Sequence, residues 1–203
     1  MGPIAVTRRR FVFVDRDGTI NVESPGVYVL SVDDMRLLPG AADGLRRLRD
    51  RGLGVVVVSN QAPVARGWIG ADDLDAINSR MLELLADDGV TVDGVYCCPH
   101  DDGDGCDCRK PEPGLLVRAA RDLGFDPGDA FVVGDKDSDL EAGRRVGATT
   151  ILVRTGQGAS AEAGGARADA VAEDLRGAAD IIAGLVTADG VPPSAAREGD
   201  MTS

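Results

Sequence analysis

Two carboxylates two positions apart, Asp15 and Asp17, open the run Asp15-Arg16-Asp17-Gly18-Thr19 directly after an apolar tetrapeptide, Phe11 to Val14. A carboxylate in such a place can attack a phosphorus centre and carry the phosphoryl group as an aspartyl phosphate, the role expected of Asp15. A second carboxyl two residues on, Asp17, can protonate the leaving oxygen and later activate water. Alternation in an extended segment puts both on one side. Gly18 lets the chain turn where a side chain would crowd a phosphate.

Carboxylate and phosphate repel each other, so a cation has to screen them. Mg²⁺ prefers oxygen ligands and keeps some waters. Asp15 and Asp135 can supply carboxylate oxygens and Asp17 its backbone carbonyl. Lys110 adds a fixed positive charge and Ser59 a hydroxyl donor, which suffices in kind for phosphoryl transfer. Each residue alone has a plainer reading. A D-x-D-G turn also occurs in calcium loops, but an EF-hand needs flanking helices and a glutamate at its twelfth position, where this chain has Gly26. Ser59 alone reads as a strand terminus, Lys110 as a solvated charge and Asp135 as a helix cap. In this order, each at a strand end or in the loop that follows a strand, they read together as a catalytic set.

A second constellation is Cys98-x-His100 with Cys106-x-Cys108. Three thiolates and an imidazole make a closed tetrahedral Zn²⁺ set of the structural kind. All four cysteines and the single histidine fall between 97 and 108. The plain alternative is a few buried thiols beside a surface histidine. A disulfide framework would spread its cysteines along an exported chain. In an extended segment Cys97 faces away from Cys98, and it reads as a small hydrophobe. The metal loop, 97–110, leads into Arg109-Lys110, so zinc would indirectly position both cations.

Alternating strand-like and helical patterns must carry these residues. The patterns predict strands at 11–14, 55–58, 92–97, 130–133, 150–153 and 169–172, and helices over 39–51, 71–86, 113–123, 138–146 and 175–186. Such alternation implies an α/β fold with a mainly parallel sheet, whose ligands bind at the carboxyl ends of the strands. Residues 156–166 read as a surface loop. Residues 1–186 read as one phosphatase domain and 187–203 as a disordered tail.

With 22 basic and 34 acidic residues the net charge is −12, which disfavours nucleic acid as a partner. A small phosphorylated metabolite needs only a few local cations. Neither a membrane-spanning apolar run nor an export signal is read, so a cytoplasmic protein without membrane partner is expected. A monomer is expected too.

The segments D-R-D-G-T-I-N, S-N-Q-x-x-x-A-R-G, R-K-P-x-P-G, G-D-K-x-x-D and V-R-T-G resemble the haloacid dehalogenase superfamily over residues 11–155. The resemblance implies a Rossmann-like three-layer sandwich without a large cap domain, an aspartyl phosphate and Mg²⁺. The loops around 21–28, 61–70 and the zinc loop would close the site. The run from Cys97 to Pro111 is similar to the zinc-containing branch that holds heptose bisphosphate phosphatases and histidinol-phosphate phosphatases. By that likeness Arg16, Asn60, Gln61, Arg109, Lys110 and Lys136 touch substrate. Ala65-Arg66-Gly67, Asp135-Lys136 and Arg154-Thr155-Gly156 favour the heptose group, which implies removal of the 7-phosphate from a heptose 1,7-bisphosphate.

Arg66 suits a second phosphate, whereas an amine-bearing substrate would call for a carboxylate such as Glu23 or Asp101. Asp139, one turn beyond Asp135, reads as a partner of the metal ligands or as a charge at a helix start. Two departures bear on substrate. Ala62-Pro63 replaces the usual Ser-Gly, and proline offers no N–H to a sugar or distal phosphate. The segment 23–28 is longer than usual. A third reading, a zinc-stabilised binding module without catalysis, would bind ligand and release no phosphate.

Overall fold

In the computed structural model, residues 10–23 and 28–188 are described. Positions 24–27 of the long 23–28 segment lie outside the described residues. So does the expected tail from 189 onward.

Short β-branched runs make the sheet. Its strands are β1 (Phe11–Val14), β2 (Gly54–Asn60), β3 (Gly94–Cys98), β4 (Phe131–Gly134), β5 (Thr149–Val153) and β6 (Ala170–Ala172), all parallel in the order β3-β2-β1-β4-β5-β6. The helices are α1 (Ala41–Asp50), α2 (Ala62–Ala65), α3 (Ala71–Asp87), α4 (Gly114–Leu123), α5 (Asp137–Val146), α6 (Gly158–Ala163) and α7 (Leu175–Ala188). Strand alternation sorts side chains into two cores. Val12, Val14, Val55 and Val57 face α1, α3 and α7, while Phe11, Phe13, Val56 and Val58 face α4 and α5. The result is a three-layer sandwich with both sheet faces buried, which is why the strands read as continuous apolar runs.

The predicted elements recur with shifts of a few residues at their ends. Two segments differ from expectation. Residues 156–166 are not simply a loop, because 158–163 form α6. Its alanine and glycine content hid a single helical turn and a half from any periodic pattern. Residues 187 and 188 extend α7 rather than begin the tail. The short α2 was also not anticipated. Pro63 sits in its first turn, where a missing N–H costs no helical hydrogen bond.

The sheet order reverses between β1 and β4, so their carboxyl ends form the switch point where ligands bind in open α/β sheets. The segments leaving β1 and β2 carry short helical turns and no further domain among the described residues. No helix among the described residues is long and apolar enough to cross a membrane.

Candidate active site

Asp15 ends β1 and Asp135 ends β4, side by side at the switch point and almost wholly buried. Gly18 and Gly156, both at positive φ (88° and 55°), pack over Asp135, and a Cβ at either would overlap its carboxylate. Oδ2 of Asp135 accepts the backbone N–H of Gln157 at 2.8 Å. Its Oδ1 is buried with no hydrogen-bond partner among the described residues, and the Lys136 ammonium stands 3.7 Å away. Burial, then the Asp15 charge, push the Asp135 carboxyl up to about 8. Burial likewise raises Asp15 to about 6, against the pull of Lys110.

Lys110 is 4% exposed. Its ammonium donates to Asp15 Oδ1 at 2.6 Å and to the Val58 carbonyl at 2.8 Å, and pairs with Asp139 Oδ1 at 2.7 Å. Burial alone would favour the neutral amine, but Asp139 and Asp15 outweigh it and hold the proton more firmly than usual. The loop that delivers Lys110 is tied to the end of β2 by Asn60. Its Nδ2 donates to the Lys110 carbonyl at 2.9 Å, and its Oδ1 accepts the Lys110 N–H at 3.0 Å. Asn60 thus ties down the Lys110 backbone while it also lines the cavity.

Asp17 is turned toward a different set of donors. The Arg16 guanidinium grips its carboxylate with Nε and Nη2, both at 3.1 Å, and Asn21 donates at 3.1 Å. Gln61 Nε2 donates at 2.7 Å and Ser59 Oγ at 3.2 Å. Burial raises the Asp17 pKa, but Arg16 and Asn21 overcome it, so the net shift is downward. Arg16 is fully buried, with Nη1 donating to Asn78 Oδ1 at 2.8 Å. Its guanidinium fork is engaged by Asp17 and Asn78, while the residue borders the cavity. Gln61 borders the cavity, with its amide on Asp17 and Ser59.

Glu23, Tyr28 and Lys136 complete the cavity wall. Lys136 Nζ pairs with Glu23 at 2.7 Å and donates to the Asp17 carbonyl at 3.3 Å. Arg66 stands behind Tyr28 and not on the wall. It binds Asp101 with two 2.7 Å hydrogen bonds, donates to the Tyr28 hydroxyl at 2.9 Å and lies over the Trp68 ring. The guanidinium holds Asp101 down to about 2. Arg109 is also off the wall. It braces the cysteine-rich loop, on Asp102 at 2.7 Å and the His100 carbonyl at 3.1 Å.

The four expected zinc ligands converge. The three sulfur–sulfur separations and those from His100 Nδ1 to Cys98 and Cys108 run from 3.2 to 3.7 Å, and all four ligand atoms lie within 4.8 Å of one another. Zinc–sulfur bonds of about 2.3 Å at tetrahedral angles give edges of about 3.8 Å, so the set fits the ion. Cys98 belongs to the core under α4, and Cys97 packs on the opposite one, where Asn78 donates to its sulfur at 3.5 Å.

Sequence reasoning undervalued three residues. Asp139 clusters with Asp15 and Asp135 and caps the start of α5 through the Lys136 N–H at 3.0 Å, but its pairing with Lys110 was not foreseen. Asn78 lies four residues after Leu74 and three before Met81, so a polar residue on the buried stripe of α3 was the available signal. Tyr28 gave none.

A family model described as HAD-hydrolase-like matches residues 107–178. It fits the parallel sheet and strand-end carboxylates of a haloacid dehalogenase-like hydrolase. The D-glycero-beta-D-manno-heptose-1,7-bisphosphate 7-phosphatase of Pasteurella multocida is 38% identical over 184 residues, 87% of this chain and 98% of that protein. Its namesake in Haemophilus ducreyi is 40% identical over 175 residues, 82% and 94% of the two chains. The D,D-heptose 1,7-bisphosphate phosphatase of B. bronchiseptica, solved with magnesium and phosphate, superposes with a TM-score of 0.82 at 36% identity, covering 87% of this chain and 99% of that one. The chain belongs to the family of these heptose bisphosphate phosphatases.

Proposed function

We propose that this protein removes the 7-phosphate of D-glycero-β-D-manno-heptose 1,7-bisphosphate through a phosphoryl group carried on Asp15. The observation that carries the reading is the buried Lys110–Asp15 contact of 2.6 Å beside Asp135, at the switch point of the sheet.

Asp135 Oδ1 is a buried oxygen without a hydrogen-bond partner among the described residues, and it lies in a cluster with Asp15 and Asp139. Asp139 is already engaged by Lys110 and Lys136. Asp15, Asp135 and the Asp17 carbonyl are therefore the oxygens that would hold Mg²⁺. When bound, the ion screens carboxylate from phosphate and polarises the phosphoryl oxygens.

An Asp15 oxygen forms a bond to phosphorus as the bond from phosphorus to the sugar oxygen breaks. Asp17 gives that oxygen its proton. Asp17 then takes a proton from water, the water oxygen attacks phosphorus, and the bond to Asp15 breaks to release phosphate. Free Asp17 is held as a carboxylate by Arg16, which suits the second step. An incoming phosphate dianion raises its proton affinity for the first. Lys110 stabilises the phosphoryl charge, and Ser59 donates to a phosphoryl oxygen. Cys98, His100, Cys106 and Cys108 hold a structural Zn²⁺ that fixes the loop bearing Lys110.

The pairing at the mouth bears on substrate. The two carboxylates that could receive the amine of histidinol phosphate, Glu23 and Asp101, are already engaged by Lys136 and Arg66. That favours the sugar bisphosphate. Phosphorus NMR of both heptose 1,7-bisphosphate anomers with the Mg²⁺-loaded enzyme tests it, with histidinol phosphate in parallel. The expected result is loss of the 7-phosphate signal, persistence of the 1-phosphate signal, and the highest kcat/KM for the β anomer. A higher kcat/KM for histidinol phosphate would overturn the assignment.

A further inference from the structure

Asn78 lies on α3, 62 residues from Arg16 in sequence, and is 9% exposed. Its Oδ1 takes the Arg16 Nη1 hydrogen at 2.8 Å. The remaining guanidinium face is turned edge-on to Asp17, meeting both carboxylate oxygens at 3.1 Å. A planar fork fixed at two edges leaves the carboxylate it grips little freedom to rotate. Arg16 is fully buried, and Asn78 fixes the edge of its guanidinium that does not meet Asp17. Asn78 is itself seated by the Cys97 sulfur at 3.5 Å. Neither Asn78 nor Arg16 needs to touch substrate in this arrangement.

We propose that Asn78 and Arg16 form a positioning relay that aims Asp17 at the leaving oxygen. The inference rests on the reading of Asp17 as general acid. The relay has a chemical signature that general damage to the fold lacks. A sugar alkoxide needs a proton as it leaves, whereas p-nitrophenolate is a stable anion and leaves without one. A misaimed acid therefore slows the first reaction and spares the second. The ratio kcat/KM isolates this step, because it includes nothing after the first irreversible departure. The base role of Asp17 in the second half of the cycle does not enter it.

The experiment compares kcat/KM for heptose 1,7-bisphosphate and for p-nitrophenyl phosphate in Asn78→Leu, Asn78→Asp, Arg16→Lys and Asp17→Asn, all with Mg²⁺. Asn78→Leu keeps the volume and deletes the acceptor. It is expected to lower the sugar value about 10- to 100-fold, within the range that misplacement of a catalytic group costs. The aryl value should change less than about threefold by the same reasoning. Asn78→Asp keeps an acceptor oxygen and should retain the sugar activity. Arg16→Lys keeps the charge but loses the fork, and reports the same selective loss independently of how the leucine variant folds. If Asp17→Asn is selective and both relay variants lower the two substrates equally, or neither, the relay is wrong while the general acid stands. If Asp17→Asn itself lowers both equally, the general-acid reading fails and takes the relay with it.

Discussion

The Lys110 ammonium lies 2.6 Å from Asp15 Oδ1, with both side chains nearly out of water. A second carboxylate, Asp139, closes on the same nitrogen at 2.7 Å. Removing one member of a buried charge set leaves the others uncompensated, which costs about 3–5 kcal/mol. Lys110→Met is expected to lose that much at pH 8 in urea unfolding, and less at pH 5, where the stranded carboxylates take up protons. Turnover should fall about 100- to 1,000-fold through loss of the charge that stabilises the phosphoryl group. Unchanged stability at both pH values would contradict this account.

Asn60 holds the Lys110 loop through two backbone hydrogen bonds. Asn60→Ala should lower stability by about 1–3 kcal/mol, since it strands the Lys110 N–H and carbonyl. It should lower kcat about tenfold, because Lys110 is then free to drift from the reacting atoms. Zinc content should stay unchanged. Equal loss of zinc and activity would assign Asn60 to the metal loop rather than to Lys110.

Much of this site could be read from residue order. Asp15, Ser59 and Asp135 each stand at the end of an apolar run, Lys110 stands in the loop after β3, and parallel topology brings strand ends together. The cluster of Cys98, His100, Cys106 and Cys108 was legible because its members are close in sequence. The bracing contacts of Arg16, Asn60 and Arg109 were not legible, for one physical reason. A polar residue beside a catalytic one can serve the substrate or brace its neighbour, and only the direction of the side chain distinguishes the two. Asp139 and Asn78 depend on long-range packing, Lys110 against α5 and Arg16 against α3, which no local pattern encodes. Helix α6 escaped because six residues of glycine, alanine, serine and glutamate carry no apolar stripe.

Mg²⁺ binding should release protons. Burial lifts Asp15 to about 6 and Asp135 to about 8 in the metal-free protein, from an ordinary value of 3.8. Both pKa values are raised on folding, so their contribution to stability is full below pH 3.8 and declines as pH rises, through about 6 for Asp15 and about 8 for Asp135. Mg²⁺ opposes that decline by favouring the ionised forms. Calorimetric titration in buffers of different ionisation heat should show Mg²⁺ affinity rising from pH 6 to pH 8, with net proton release at the lower pH. A pH-independent affinity would contradict the raised carboxyls.

Zinc removal should loosen the chain without abolishing the sheet. One zinc per chain is expected by elemental analysis, and none in a variant with Cys106 and Cys108 both replaced by serine. A zinc present at a thousand times its dissociation constant adds about 4 kcal/mol. Chelation should then lower the unfolding midpoint by about 8–16 °C for a chain of this size. An unchanged midpoint with zinc fully removed would show that the loop holds itself together.

The central claim is that the phosphoryl group passes through Asp15. Acid quenching during turnover of labelled heptose 1,7-bisphosphate, followed by peptide mass spectrometry, tests it most directly. The account predicts a phosphoryl adduct on the peptide that contains Asp15, located at that residue and absent from Asp15→Asn. An adduct on any other side chain, or activity that survives in Asp15→Asn, would contradict it.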